Sequence, residues 1–414
     1  MLLSRQRGPA RAAAARGAPR SGAGWKGRSG KQICAYKHFF IAIPPHPFFD
    51  GFIASPVSDA AASLFPCFQV NTQDPRVSIA IVGLSFGRGI AEQLLQSPAS
   101  SRFVLKGVCD LRQEVAEACA RDFGVAVYRS LEELLGDPGV EAIGLFTRPH
   151  DRGTLMRQIL AAGKHIVTTK PFELDSSEAA SALERARHSG RIIHLNSPGP
   201  ELTPDMEQIE RWRSEFELGR LVSARGEVWA SYFENADGSW MDDPYHCPAG
   251  PMMRLGIYLI NDIVRIAGPI LSAHVQTSHI RTGRPTPDNA MLAFTCESGC
   301  LASVYASFCV EDGDRYSNGL TLNFERGSIY RNIGKERHPP GEGKVHLSLI
   351  VQGRNGHRRV ADERVFDDCL GVYQWDAFYK AIRERQPMAA DYGSCILEGV
   401  RLLETLRTAG SVPA

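Results

Sequence analysis

The sequence has no Cys-x-x-Cys pair, no apolar run near the roughly eighteen residues of a membrane-spanning helix, and no surplus of either charge. The ten cysteines are scattered, and the nearest pair, Cys296 and Cys300, stands too isolated to outline a metal site. They read as reduced core cysteines of a cytosolic protein. The formal net charge of +1 leaves no electrostatic footprint for nucleic acid. With 22% charged and 43% hydrophobic residues, the composition is that of an ordinary soluble globular protein, and 414 residues suffice for two domains with real cores.

A local shortage is more telling. No acidic residue precedes Asp50, whereas Arg5, Arg7, Arg11, Arg16, Arg20, Lys26, Arg28, Lys31 and Lys37 do. Residues 1–74 therefore read as a disordered basic leader with no part in the chemistry. An acid-poor, Arg-, Ala- and Ser-rich start also suits an organelle-targeting peptide, or translated sequence ahead of a start further downstream. Otherwise the expected location is cytoplasmic.

From Arg76 the chain becomes regular. Val77 to Val82 reads as a buried strand, Gly83-Leu-Ser-Phe-Gly-Arg-Gly89 as a glycine-rich turn, and Ile90 to Gln96 as a helix. Small residues in such a turn let backbone N–H groups approach a pyrophosphate. The dinucleotide fingerprint is partly met: Gly83 fits its first position, Ser85 and Arg88 stand at the second and third, and Phe86, Gly87 and Gly89 lie beside them. The second strand, Phe103 to Cys109, ends in Asp110, where a carboxylate can bond ribose hydroxyls. Further strands at 125–128 and 142–146 alternate with helices, and this βαβαβ order implies a parallel, doubly wound sheet. Asp110 favours NAD; Arg112, two residues on, could cover a 2′-phosphate, so NADP stays open.

Gly163-Lys-His-Ile-Val-Thr-Thr-Lys-Pro171 places Lys170 at the carboxyl edge of a short apolar strand, with Pro171 ending the ladder. Ligands of open α/β sheets sit outside that edge. Asn196 closes a sixth strand at the same edge, where it can bond substrate, and the dinucleotide domain, residues 75–197, ends there. Residues 198–414 read as an α+β domain on a mostly antiparallel open sheet, with strands at 223–232, 273–281, 289–297, 299–309, 320–324 and 327–330. One helix interrupts them, Met252 to Ile266, and sets Arg254, Tyr258 and Asn261 on one face. Asp242, Asp243, Tyr245 and His246 precede it in a loop; they could line the pocket, but polar loop residues are usually only solvated, and they form no ligand set for a metal.

Together these motifs resemble the glucose-fructose oxidoreductase, inositol dehydrogenase and MocA (Gfo/Idh/MocA) family over essentially Arg76 to Gly410, and 373–382 and 391–405 look like the family's final helices returning to the first domain. The resemblance implies an NAD(P)-dependent oxidoreductase acting on a hydroxyl or carbonyl of a sugar, polyol or sugar acid. The family's alternatives are a dinucleotide-binding sensor without chemistry and a redox-neutral lyase or glycoside hydrolase. Lys170 matches the lysine of the family's Glu-Lys-Pro motif, with Thr169 in place of the glutamate. Arg254, Gly256 and Tyr258 stand at the aspartate, glycine and histidine of its Asp-x-Gly-x-His motif. Thr147 and His150 follow the fourth strand where, by the resemblance, the nicotinamide is bordered, and Lys170 joins them among the cofactor-binding residues.

The expected chemistry has Tyr258 as acid/base. Lys170 polarises the substrate oxygen, and together with Arg254 lowers the phenol's pKa from about 10. Arg254 could instead bind a substrate carboxylate or phosphate, and Asn261 could bond substrate. With Thr169 for the family's glutamate and Arg254 for its aspartate, the cleft is expected to be more cationic than its relatives', which points to an anionic small-molecule substrate. A homodimer or homotetramer through the open sheet is the default assembly.

Overall fold

The first element, Val77–Val82 (β1), is buried at every residue, and it founds a sheet covered on both faces. The computed structural model describes residues 76–312, 316–333 and 343–409, so the expected leader at 1–74 lies outside the described residues. After β1 come α1 (Leu84–Leu94), α2 (Ala99–Arg102), β2 (Phe103–Cys109), α3 (Gln113–Phe123), β3 (Ala126–Val127) and α4 (Leu131–Gly136). Then follow β4 (Ala142–Leu145), α5 (Arg152–Ala161), β5 (His165–Thr168), α6 (Ser176–Ser189) and β6 (Ile193–Leu195). The strands run in the order β3-β2-β1-β4-β5-β6, every neighbouring pair parallel. The order reverses between β1 and β4, which makes their carboxyl ends the crevice where such folds hold ligands.

Local chemistry accounts for the element ends. Gly124 closes α3 in the left-handed region at φ 66°. Ser130 caps α4 by accepting from the Glu133 N–H, and Asp175 caps α6 through the N–H groups of Ser177 and Glu178. The helix expected from Ile90 begins six residues earlier, at Leu84, so most of the glycine-rich segment is helix rather than turn.

The second half contains α7 (Pro204–Glu215), β7 (Leu221–Trp229), α8 (Ile257–Ala267), β8 (Ile270–Ser278), β9 (Asn289–Cys296), β10 (Leu301–Ser307) and β11 (Ser317–Phe324). It continues with β12 (Gly327–Arg331), β13 (Lys344–Gln352), β14 (Arg358–Asp367), α9 (Trp375–Arg383) and α10 (Ala390–Ala409). The eight strands form one sheet in the order β14-β13-β12-β11-β7-β10-β9-β8, antiparallel except for β7 with β10. The last two strands were not foreseen: β14 is mostly exposed and charged, an edge strand with little apolar alternation to mark it. On β9, Ala290, Leu292, Phe294 and Cys296 point inward to the core that also holds Leu259, Ile260 and Ile263 of α8, while Met291 is exposed on the other face.

The final helices fix one half against the other. Phe378 of α9 stacks on Phe103 with ring centroids 5.6 Å apart, inside the core of the first sheet. On α10, Tyr392, Ile396 and Val400 enter the core beneath α6, whereas Leu402, Leu403 and Leu406 enter that of the second sheet. Burial of apolar area at both ends of one helix holds the edge bearing Lys170 in register with α8.

Candidate active site

At the end of β1 the backbone itself builds the site. Gly83 sits at φ +86°, and a Cβ there would lie 2.8 Å from the Phe146 carbonyl oxygen, so only glycine lets the β1 and β4 ends meet this closely. One turn on, a Cβ on Gly87 would come 2.8 Å from Ile81 Cγ2; that glycine serves helix-to-strand packing. Gly83 gives α1 no side-chain cap of its own and the first turn holds no acidic residue, so the positive helix end, whose Leu84 N–H is taken by Asp110, still favours a pyrophosphate. Ser85 is exposed on that turn, while Phe86 packs against Phe146 at 5.7 Å between ring centroids.

Asp110 closes the floor of this region. Its Oδ2 accepts from the Leu84 N–H at 2.7 Å, and its Oδ1 accepts from the Arg112 N–H and Nε at 2.9 and 3.2 Å. Burial works against its charge, but the hydrogen bonds from Arg112 and Leu84 outweigh it and keep the carboxyl below its ordinary pKa. Arg112, half exposed, reaches on to Ser85 Oγ at 3.2 Å. A ribose acceptor and a cation for a 2′-phosphate thus stand side by side. Thr147 Oγ1 and His150 Nδ1 are buried without a hydrogen-bond partner among the described residues, as groups awaiting a polar ligand would be. The positive helix terminus, the ionised acid and these two unmatched atoms fit a nicotinamide dinucleotide.

Lys170 and Tyr258 come together from the two halves. The ammonium lies 4.6 Å from the centroid of the Tyr258 ring and donates to the Arg254 carbonyl at 2.5 Å. Asn196 Oδ1 accepts from the Lys170 N–H at 3.1 Å and from Thr169 Oγ1 at 3.3 Å, and its amide donates to the Gly371 carbonyl at 3.2 Å. The Lys170–Pro171 peptide is cis. Burial, and then the Arg254 charge, pull the Lys170 pKa down to about 7. Tyr258 moves the other way. Burial raises its phenol well above 10, Tyr232 and Asp368 add to the rise, and a hydrogen bond with Asn196 opposes it only in part. The expectation that two cations favour the phenolate is therefore corrected: Lys170 sits over the ring face, not at the oxygen, and the low-pKa group is the lysine.

Arg254 is corrected too. It lies in a one-turn π-helix, Met252–Gly256, that precedes α8 and breaks the even helical face expected for Arg254, Tyr258 and Asn261. Its guanidinium makes a bidentate pair with Glu234, at 2.7 and 2.9 Å, and packs against the rings of both Tyr232 and Phe308. Glu234 also accepts from Arg284, which binds Asp237 and Asp242 in turn. Three carboxylates thus face two guanidiniums. The cleft does not carry the surplus positive charge on which the expectation of an anionic substrate rested. Asn261 is buried and donates to Ser197 Oγ at 3.0 Å, tying α8 to the first half.

Several residues of this region gave no sequence signal. Tyr232 is one, and Tyr316 another; its pKa is raised by burial first and then by Tyr258 and Asp368, which places all three side chains in one electrostatic neighbourhood. Gly371 is a third, since a Cβ there would meet the Tyr258 hydroxyl at 2.9 Å. His246, read as a solvated loop residue, stacks on His150 with ring centroids 4.3 Å apart and bonds Asp243 at 2.5 Å. Charged pairing across a loop leaves a trace only where spacing is regular, and Glu234 stands twenty residues from its partner Arg254.

Two family descriptions match: an oxidoreductase family with NAD-binding Rossmann fold over residues 77–197, and the GFO/IDH/MocA C-terminal domain over 206–330. An uncharacterized oxidoreductase of Schizosaccharomyces pombe, C115.03, is 24% identical over 47% of this chain and 53% of its own length. The trans-1,2-dihydrobenzene-1,2-diol dehydrogenase of Oryctolagus cuniculus is 25% identical over 53% of this chain and 63% of its own. The matched stretch thus spans little more than half of these relatives. The 3-ketoreductase KijD10 from Actinomadura kijaniata, solved with NADP, superposes with a TM-score of 0.61 at 16% identity, covering 81% of this chain and 98% of that one, a likeness of fold. The parallel sheet with its positive helix terminus, the mostly antiparallel second sheet and both matches together make this chain a member of the Gfo/Idh/MocA oxidoreductase family.

Proposed function

We propose that the protein is an NAD(P)-dependent oxidoreductase that interconverts a secondary hydroxyl and a carbonyl on a small polyhydroxy compound, with Lys170 as acid/base. The observation that carries the reading is the Lys170 ammonium, drawn down to about 7 by burial and held over Tyr258 at the carboxyl edge of β5. A general base works best with a pKa near the operating pH, and neutral Lys170 accepts the hydroxyl proton during oxidation. Tyr258, kept protonated, donates a hydrogen bond to the substrate oxygen, and Asn196 orients both partners. Bound nicotinamide supplies the hydride acceptor. Gly83 and Ser85 shape its pyrophosphate site, with Gly87 letting α1 pack closely on β1; Asp110 takes the ribose, and Thr147 and His150 border the ring.

Pairing of Arg254 with Glu234 favours a neutral substrate over an anionic one. Arg112 beside Asp110 suits either cofactor. The open face of the second sheet, with Val222, Met291 and Leu301 exposed, supports assembly as a homodimer or homotetramer. Among the described residues no helix is long and apolar enough to cross a membrane, and all eight cysteines there are free, which suits the proposed cytoplasmic location.

The test is absorbance of reduced cofactor when the purified protein meets NAD or NADP and a panel of sugars, inositols, vicinal diols and sugar acids. Turnover of a neutral polyol or diol is expected. Dinucleotide binding with no turnover across the panel would leave a sensor or a redox-neutral enzyme instead.

A further inference from the structure

Arg152 is among the largest fully buried side chains, with 2% of its surface exposed, and among the described residues no carboxylate bonds it. It opens α5, where the helix dipole disfavours a cation. A charge placed at such a cost must be met by something nearby, and what meets it is backbone. Nη1 lies 2.8 Å from the Thr169 carbonyl, 2.5 Å from that of Pro171 and 3.2 Å from that of Phe172, and Nη2 donates to the Thr147 carbonyl. Glu173, buried nearby, accepts from the Gly153 N–H at 2.5 Å and from its neighbour Leu174 at 2.7 Å, and its charge favours the guanidinium. Burial lowers the Arg152 pKa to about 10, which still leaves it charged at neutral pH.

The four carbonyls belong to two loops, one leaving β4 and one leaving β5, on adjacent parallel strands. Thr147 follows Phe146, whose carbonyl is in contact distance of Gly83, so the first loop is also the back wall of the glycine turn. Thr169, Pro171 and Phe172 bracket Lys170. One rigid fork therefore spans the wall of the dinucleotide site and the segment that carries the lysine. A lysine in the same place could reach only one loop at a time, because its ammonium lacks the fork.

We infer that Arg152 is a positioning residue: it sets the cofactor wall at Thr147 and the burial of Lys170 together. The inference rests on the proposed role of Lys170, and its test needs no substrate. Wild type, Arg152→Met and Arg152→Lys are compared in two measurements. The first is NADH and NADPH affinity by fluorescence. The second is the pH dependence of Lys170 acetylation by a limiting reagent, read by mass spectrometry with the exposed Lys380 as internal reference. In Arg152→Met the affinity for the better-bound dinucleotide is expected to fall about tenfold or more, and the Lys170 midpoint to rise from near 7 toward that of an exposed lysine, as loosened loops let water reach the ammonium. Arg152→Lys is expected to recover part of the midpoint shift and little of the affinity, since it tethers one loop.

A residue that only stabilises the fold would lower the melting temperature and leave both readouts unchanged in the folded fraction. That result overturns the inference. Should Arg152→Met fail to fold, the lysine variant decides alone: unchanged affinity and midpoint in it overturn the inference equally. Absence of dinucleotide binding in the wild type would overturn the proposed function, while the acetylation arm would still judge the clamp.

Discussion

The dinucleotide half of the site and the Lys170 half are built by opposite means. Around Gly83 the parts are mostly backbone: a turn, a helix end and the one carboxylate that caps it, within thirty residues of each other. Around Lys170 the parts are side chains from distant segments, Lys170, Asn196, Tyr258 and the Gly371 carbonyl, brought together only because α9 and α10 fold back over both sheets. In the first half, hydrogen bonds from Arg112 and Leu84 keep the Asp110 carboxyl ionised against its burial. In the second, burial decides, lowering a lysine and raising a tyrosine. Recognition can be assembled from local geometry; acid/base tuning requires a closed interface between domains.

The comparison is broken most severely by Lys170→Met. Removal of the acid/base should cost about 1000-fold in turnover while dinucleotide affinity stays within a few-fold, since the cofactor's other contacts lie in the first half. Steady-state kinetics and a fluorescence titration on one preparation read both numbers. Gly83→Val is the mirror experiment. Its side chain strains a φ of +86° and runs into the Phe146 carbonyl, so dinucleotide affinity should fall at least tenfold with a stability loss of about 1–3 kcal/mol, followed by thermal melting.

These two halves were unequally legible. The β1 strand, Gly83, Asp110 and the βαβ alternation lie close together in sequence and carry turn and cap chemistry that needs no partner, so the parallel sheet and its crevice followed from the chain itself. Lys170 could be marked by its place at a strand edge and Tyr258 by its helix face, but only the family resemblance joined them in one site. Their environment could not be marked, because desolvation depends on what packs above them, and the sequence spacing of Arg254 gave no hint that Glu234 would take its charge. A π-turn at 252–256 also escapes periodicity, since one extra residue per turn shifts a side chain off the expected stripe. β14 escaped for a simpler reason: an exposed edge strand has no buried face to write into its pattern.

Smaller perturbations sharpen the contrast. Glu234→Gln should free the Arg254 charge, destabilise the fold by about 2 kcal/mol as a partly buried pair is broken, and shift the substrate panel toward sugar acids. An unchanged preference would show that Arg254 does not face the substrate. Arg112→Ala should weaken NADPH severalfold more than NADH, because this half-exposed cation can meet only a 2′-phosphate. Equal loss for both cofactors would assign Arg112 to holding Asp110 and Ser85 in place.

The central claim is that Lys170, not Tyr258, changes protonation during turnover. The most direct measurement is the pH dependence of kcat/KM in the oxidation direction for wild type and Tyr258→Phe. Neutral lysine is the competent form, so the rate should be low below the lysine pKa and rise to a plateau above it, with its midpoint near 7 in both proteins and a lower plateau in the variant. A midpoint that vanishes in Tyr258→Phe would make the tyrosine the acid/base, and one near 10 in the wild type would remove the lowered lysine; either contradicts the account.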